Sequence, residues 1–250
     1  MPKHPRDRFI SVYGRKPVLE LLEQNPLPKI HSIRLDKKAK GPTIAAILKK
    51  LKQLDLEVER VTSQEVHRIS KNPKQDQGVV VDVENSAMDD FSDFFQSSLP
   101  DKMAFLALDG VTTPANLGLI IRSATAFGLG LLLPRKGSAK LSPLVVKASA
   151  GVLFKSQIVG CERLAPALKM AKAVGFKIYA LAGGGSSNFY QTQFADRAIF
   201  IMGNETEGVG EHLAQYIDEY CHIPMWNEVE SLNVACAATT VAAEYARRQL

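Results

Sequence analysis

Met103-Ala-Phe-Leu-Ala-Leu108, then Asp109-Gly-Val-Thr-Thr-Pro-Ala-Asn116, then Leu117 to Phe127 reads as a buried strand, a turning loop and a helix. Six successive apolar residues suit a strand covered on both faces. Gly110 and Pro114 turn the chain, and a helix begins near Asn116. A strand follows at Leu129–Leu133, and later ones at Lys177–Leu181, Ala198–Met202 and Tyr220–Ile223. Strands that alternate with helices predict an α/β fold, a mostly parallel sheet with helices on both sides. The last helix, from about Leu232 to Arg248, is Ala-rich with apolar positions on several sides. It is therefore expected to be buried on more than one face, in the core or against another subunit.

Upstream, residues 8–83 read as a smaller α/β unit. A helix opens at Tyr13-Gly14 with Val18, Leu19, Leu21 and Leu22 on its apolar face. Ile30–Leu35 and Leu56–Val61 alternate like strands. Ile44, Ile47, Leu48, Leu51 and Leu54 recur at helical spacing, Ser63 caps a short helix, and Gly78–Val83 is a strand. Residues 84–101 form a linker in which Phe91, Phe94 and Phe95 make the face of a short docking helix. Residues 102–250 are the larger domain.

The chain has 250 residues, 46% of them hydrophobic and 23% charged. That composition excludes a disordered chain. No apolar run reaches the roughly 20 residues that span a bilayer, and no h-region follows the basic N-terminus. Cys161, Cys221 and Cys236 are too few and scattered for a disulfide framework or a zinc site. They read as small buried hydrophobes, and the expected location is cytoplasmic.

Charge is unevenly spread. Residues 1–80 hold 17 Lys+Arg against 9 Asp+Glu, a net +8, and the remainder carries −3. No acid occurs between Asp109 and Glu162, a stretch that holds Arg122, Arg135, Lys136, Lys140, Lys147 and Lys155. A polyanion such as RNA or DNA accounts for both concentrations. There is no Walker A loop and no Gly-x-Ser-x-Gly elbow. Gly183-Gly-Gly185 follows a strand without the rest of a dinucleotide fingerprint. The five histidines form no His-x-x-x-His pair, so no metal site is expected.

Three segments carry chemistry. In Leu108–Ala124, Asn116 and Arg122 lie at the carboxyl edge of the sheet and early in the helix. Arg122 sits among Ile120, Ile121 and Ala124, where a buried guanidinium needs an anionic partner or a polar cleft. In Phe200-Ile-Met-Gly-Asn-Glu-Thr-Glu-Gly-Val-Gly210, a strand runs into glycines that let a ligand approach the backbone, with Glu205 as acceptor. In His222-Ile-Pro-Met-Trp-Asn-Glu-Val-Glu-Ser-Leu-Asn-Val-Ala235, a loop with backbone groups suited to an adenine edge leads to Ser231 and Asn233 at the start of the last helix. Ser231 is also a candidate N-cap.

In this order and at these spacings, the three segments resemble the SpoU family of S-adenosylmethionine-dependent RNA ribose 2′-O-methyltransferases over about residues 103–248. Residues 8–83 resemble the small L30e-like substrate-binding domain of many members. The whole chain looks most like the bacterial enzymes that methylate a guanosine ribose in large-subunit (23S-type) rRNA. The resemblance implies a SPOUT-type trefoil knot, a fold feature rare among proteins, and a homodimer packed through the catalytic domain. It puts Gly203, Ile223, Pro224, Met225 and Leu232 at the cofactor, S-adenosyl-L-methionine. Asn116, Arg122, Glu205, Ser231 and Asn233 fall on active-site positions. Related sequences have Asp where this chain has Thr113, often Glu where it has Phe154, and often His where it has Asp76.

Family accounts make the Arg a general base. With a pKa above about 12 it stays protonated, so Arg122 is expected to bind the target phosphate and polarise the hydroxyl. Two alternatives stand beside this reading. One is a transfer-RNA ribose methyltransferase, though such members often lack the N-terminal domain. The other is an RNA-binding ribosome-assembly factor that has lost catalysis.

Overall fold

The computed structural model describes residues 9–84, 88–204 and 207–249. In chain order the elements are β1 (Phe9–Tyr13), α1 (Arg15–Leu22), β2 (Ile30–Asp36), α2 (Pro42–Gln53), β3 (Glu59–Val61), α3 (Ser63–Ser70) and β4 (Val79–Glu84). Then come β5 (Met88–Asp90), α4 (Phe91–Gln96), β6 (Met103–Leu108), α5 (Pro114–Ala126), β7 (Gly130–Pro134) and α6 (Pro143–Ala148). The chain continues through β8 (Ile158–Cys161), α7 (Leu164–Ala173), β9 (Lys177–Leu181), β10 (Ser187–Asn188), β11 (Arg197–Met202), β12 (Glu219–His222) and α8 (Val234–Arg247). Two compact units result, one of residues 1–87 with 141–154, the other of 88–140 with 155–250.

The first unit is built on a four-stranded sheet ordered β1-β4-β2-β3. β4 lies inside, antiparallel to both neighbours, and Val79, Val80, Val81 and Val83 are all buried. Val18, Leu21 and Leu22 of α1 and Ile44, Ile47 and Leu51 of α2 are buried too, while Val66 of α3 packs with Val61 and Val80. β1 is a strand that the sequence reading leaves unassigned; its alternation places Ile10 and Val12 inward. The cap of α3 is Thr62, in a reciprocal capping box with Glu65; Ser63 instead donates to Asp36 at 2.5 Å. Asp76 is buried. It accepts from Ser70 Oγ at 2.8 Å and the Gly78 N–H at 3.0 Å, and meets His67 Nδ1 at 2.7 Å. Residues 141–154 pack with this unit: Gln24 Nε2 donates to the Gly151 carbonyl at 2.8 Å.

The second unit carries an eight-stranded sheet ordered β10-β12-β9-β11-β6-β7-β8-β5. Every pair in it is parallel. All loops that leave the strands' carboxyl ends therefore open on one rim, where open α/β sheets bind ligands. Residues 88–96, read from sequence as connector, belong to this unit: β5 extends the sheet edge and α4 docks Phe95 into the core. Phe95 stacks edge-on with Phe94, Phe105 and Phe176. α7 is a further helix that the sequence reading leaves out. Cys161 and Cys221 are buried as expected, but Cys236 is exposed. No described helix is long and apolar enough to cross a membrane.

α8 is bolted down at its far end. Arg248 donates through Nε to Glu244 at 2.7 Å and through Nη2 to the Tyr190 carbonyl at 2.7 Å. It also bonds the Thr192 carbonyl, and its guanidinium lies 4.5 Å from the Phe194 ring centroid. Arg247, with Arg248 beside it, holds the Glu244 carboxyl at about 2 against an ordinary 4.5. A depressed native pKa adds stability that is fully present above the ordinary value and is lost as pH falls towards the native one. Melting temperature should thus fall more steeply between pH 4.5 and about 2 in the wild type than in Glu244→Gln. Equal slopes would contradict the clamp.

Candidate active site

At the carboxyl rim the loops after β9, β11 and β12 meet the entry to α8 around a cleft of about 340 Å³. Its walls include Leu181, Gly183, Gly203, Asn204, Ile223, Met225, Ser231, Leu232 and Val234. Volume and mostly apolar lining suit a small-molecule ligand. Residues 223–233 are neither strand nor helix, so their amides and carbonyls are not committed to a ladder.

Glycine makes this packing possible. A Cβ on Gly203 would lie 2.1 Å from the Gly208 carbonyl carbon, and one on Gly185 would lie 2.6 Å from that of Cys221. The loop after β9 is tied to the end of β12: Ala182 N–H donates to the Cys221 carbonyl at 3.0 Å, and Phe189 N–H to that of His222 at 2.9 Å. His222 Nδ1 lies 2.8 Å from the Gly185 carbonyl. A carbonyl only accepts, so Nδ1 carries the proton. The loop after β11 is tied to β6, because Gly210 N–H donates to Asp109 Oδ2 at 2.8 Å. Asn204 Oδ1 accepts from the Glu207 N–H at 2.7 Å.

Of the residues singled out from sequence, Gly203, Ile223, Met225, Ser231 and Leu232 line this cleft. Pro224 sits half-buried between two of them. Asn233 Nδ2 donates to Asn116 Oδ1 at 3.3 Å, joining the starts of α8 and α5. Asn233, not Ser231, caps α8: its Oδ1 accepts from the Ala235 N–H at 2.9 Å. The two helices also meet where Ser123 Oγ lies 2.7 Å from Thr239 Oγ1. Arg122 differs from the sequence expectation. Ile120, Ile121 and Ala124 face inward on α5, and Arg122 is exposed, with no ion pair or hydrogen bond among the described residues. At about 100° per residue, the helix that buries its neighbours turns Arg122 outward. Glu205 lies outside the described residues.

Thr113 is the N-cap of α5 without a side-chain cap bond, and Phe154 is half-buried in a 3₁₀ turn. Asp109, Asn204 and His222 hold the loops yet were not singled out. The glycine run at 183–185 was the visible signal for one of these loops. Among the described residues, no group of three His, Cys, Asp or Glu side chains could hold a metal ion.

Residues 103–243 match the SpoU rRNA methylase family. Residues 11–88 match the domain described as RNA 2′-O ribose methyltransferase substrate binding. The chain is 29% identical over 240 residues to the 23S rRNA (guanosine-2′-O-)-methyltransferase RlmB of Neisseria meningitidis serogroup B, covering 96% of this chain and 95% of that one. The SpoU methyltransferase AviRb of Streptomyces viridochromogenes, solved in complex with AdoMet, superposes with a TM-score of 0.81 at 23% identity. That match covers 98% of this chain and 91% of AviRb, a likeness of fold. An rRNA methyltransferase from Sinorhizobium meliloti superposes with a TM-score of 0.77 at 25% identity, covering 98% and 89% of the two chains.

Asn233→Ala should destabilise the protein by about 1 kcal/mol through loss of the cap, a melting-point drop of roughly 2–4 °C at this size. Asn233→Asp, which can still cap, should recover most of it. Equal melting points for wild type and Asn233→Ala would contradict the cap.

Proposed function

The chain belongs to the SpoU rRNA methylase family, and from that premise we propose that it is an RNA ribose 2′-O-methyltransferase. It uses S-adenosyl-L-methionine, and its target is a guanosine of large-subunit rRNA. The observation that carries the reading is the cleft, whose walls come from the second and third sequence segments together with Leu181, Ala182 and Gly183 after β9. Its residues fit the cofactor by their chemistry. Leu181, Ile223, Leu232 and Val234 offer apolar walls for a purine, and the irregular backbone at 223–225 offers amides and carbonyls to its edge. Gly203 lets the chain run close beneath a ligand. Glu230, Ser231 and Asn204 offer polar groups to a ribose and an amino acid tail. When bound, the cofactor supplies an electrophilic methyl on a sulfonium.

The chain's task is then to align a ribose oxygen with that methyl and to stabilise the developing alkoxide. Ser231, at the cleft wall, and the Asn116–Asn233 pair orient the ribose in this reading. Arg122 presents an exposed guanidinium with no partner among the described residues, as a phosphate ligand must before RNA arrives. Glu205 keeps its active-site assignment on the resemblance alone. The basic first unit supplies salt-dependent affinity for the RNA backbone.

The RlmB name and the substrate-binding match support ribosomal over transfer RNA. The reading extends to a homodimer through the second unit, supported by Leu119 and Phe127, which are exposed on and beside α5. It extends also to the trefoil knot, supported by the loop at 182–189 wrapped on the end of β12, and to the cytoplasm, where ribosomal RNA is found.

Purified protein with methyl-labelled S-adenosylmethionine should label large-subunit rRNA rather than small-subunit or transfer RNA. Arg122→Ala should lower turnover by about tenfold to a hundredfold, the worth of a charged hydrogen bond, and leave cofactor affinity unchanged. Label in transfer RNA alone would overturn the substrate. Wild-type turnover in Arg122→Lys would overturn the forked phosphate contact. A protein that binds no cofactor would favour the inactive assembly factor.

A further inference from the structure

The chain has one tryptophan, and it is placed where an apolar side chain gains nothing from folding. Trp226 is 76% exposed, more than any other large hydrophobic residue among those described. It stands between Met225 and Val229, both of which line the cleft, so its indole marks the cleft's rim. Its backbone is held. The Val229 N–H donates to the Trp226 carbonyl at 3.3 Å, and the turn is closed by Asn227 and Glu228 at φ 57° and 59°. Two successive non-glycine residues in the left-handed region are costly, and such strain gathers at ligand sites. Val229 and Leu232 continue an exposed apolar rim, at 48% and 37% exposure.

Charge narrows what this rim can touch. Residues 198–246 contain no Lys or Arg, and Glu228 lies in the turn with Glu230 just after it. That surface repels phosphates. An unpaired base, by contrast, has a flat face for an indole and donor groups on its edge for a carboxylate. We infer that Trp226 is a stacking platform for an unpaired RNA base beside the methylated ribose, an inference that rests on the methyltransferase reading above. Backbone affinity then comes from the basic first unit and from Arg122, and the rim contributes base contact.

Because no other tryptophan is present, the intrinsic fluorescence of the full chain reports this residue alone. Emission should be that of a water-exposed indole. It should be quenched by a short single-stranded RNA of mixed sequence, and much less by the same RNA in a duplex or by S-adenosylmethionine alone. With total large-subunit rRNA as substrate, Trp226→Ala should raise KM about 5- to 150-fold, the range of one base–aromatic stack. Trp226→Phe should restore most of that loss, and cofactor affinity should be unchanged in both variants.

Quenching by cofactor alone would make the indole part of the cofactor site and overturn the inference. Blue-shifted emission that reddens on dilution would mean burial against a second copy, and would overturn it too. An active wild type with an unchanged KM in Trp226→Ala would overturn the platform while leaving the methyltransferase reading intact. Failure of the wild type to methylate any RNA would instead overturn that reading, and quenching by single-stranded RNA would still decide whether Trp226 meets a base.

Discussion

Backbone lies directly on backbone at the carboxyl rim of the eight-stranded sheet. Gly203 faces Gly208 and Val209, and Gly185 faces the peptide between Cys221 and His222, at distances that leave no room for a methyl group. An all-parallel sheet brings its crossover loops to one end, but it does not by itself make them overlap. The overlap comes from these glycines and from the bonds around them: Gly185 to His222, Ala182 to Cys221 and Gly210 to Asp109. The cleft is the space these layered loops leave. Its shape therefore follows from close approach between peptides more than from any one side chain.

α8 closes the cleft because it is fixed at both ends. At its start, Asn233 caps the helix and reaches Asn116 at the start of α5. At its end, Arg248 gathers the carbonyls of Phe189, Tyr190 and Thr192. Between them, Val234, Ala235, Ala238, Val241, Ala242 and Tyr245 are buried. A helix so held presents Leu232, Val234 and Ala237 to the cleft in a fixed position. On α5, burial of Ile120, Ile121 and Ala124 leaves Arg122 on the exposed side of the helix.

Much of this was legible in the sequence where one physical signal dominates. The apolar runs at 103–108 and 198–202 became the sheet's inner strands, β6 and β11. The Ala-rich pattern after Leu232 became helix α8, but its buried residues, from Val234 and Ala235 to Tyr245, lie on one face rather than several. The three phenylalanines after residue 90 became a docked helix. Features decided by tertiary contact were not legible. β5 is three residues with Asp at two of them, and only pairing with β8 makes it a strand. Residues 141–154 pack with the first unit across a long sequence separation. Asp109 reads as an ordinary loop acid until Gly210 is beside it. The direction of Arg122 depended on which face of α5 packs inward, and that face carries Ile120, Ile121 and Ala124.

The division of charge matches the division of labour. The cationic first unit suits phosphates, whereas the cation-free stretch from 198 to 246 builds a cleft and rim suited to a nucleoside and a base. The central claim is that peptide-on-peptide packing at Gly203 shapes the cleft proposed to hold the cofactor, and calorimetric binding of S-adenosylmethionine tests it most directly. Gly203→Ala should bind at least about tenfold more weakly, or 1.4 kcal/mol. Gly184→Ala, where an added Cβ meets nothing within 4 Å, should bind like the wild type. A folded Gly203→Ala protein with wild-type affinity would contradict the account.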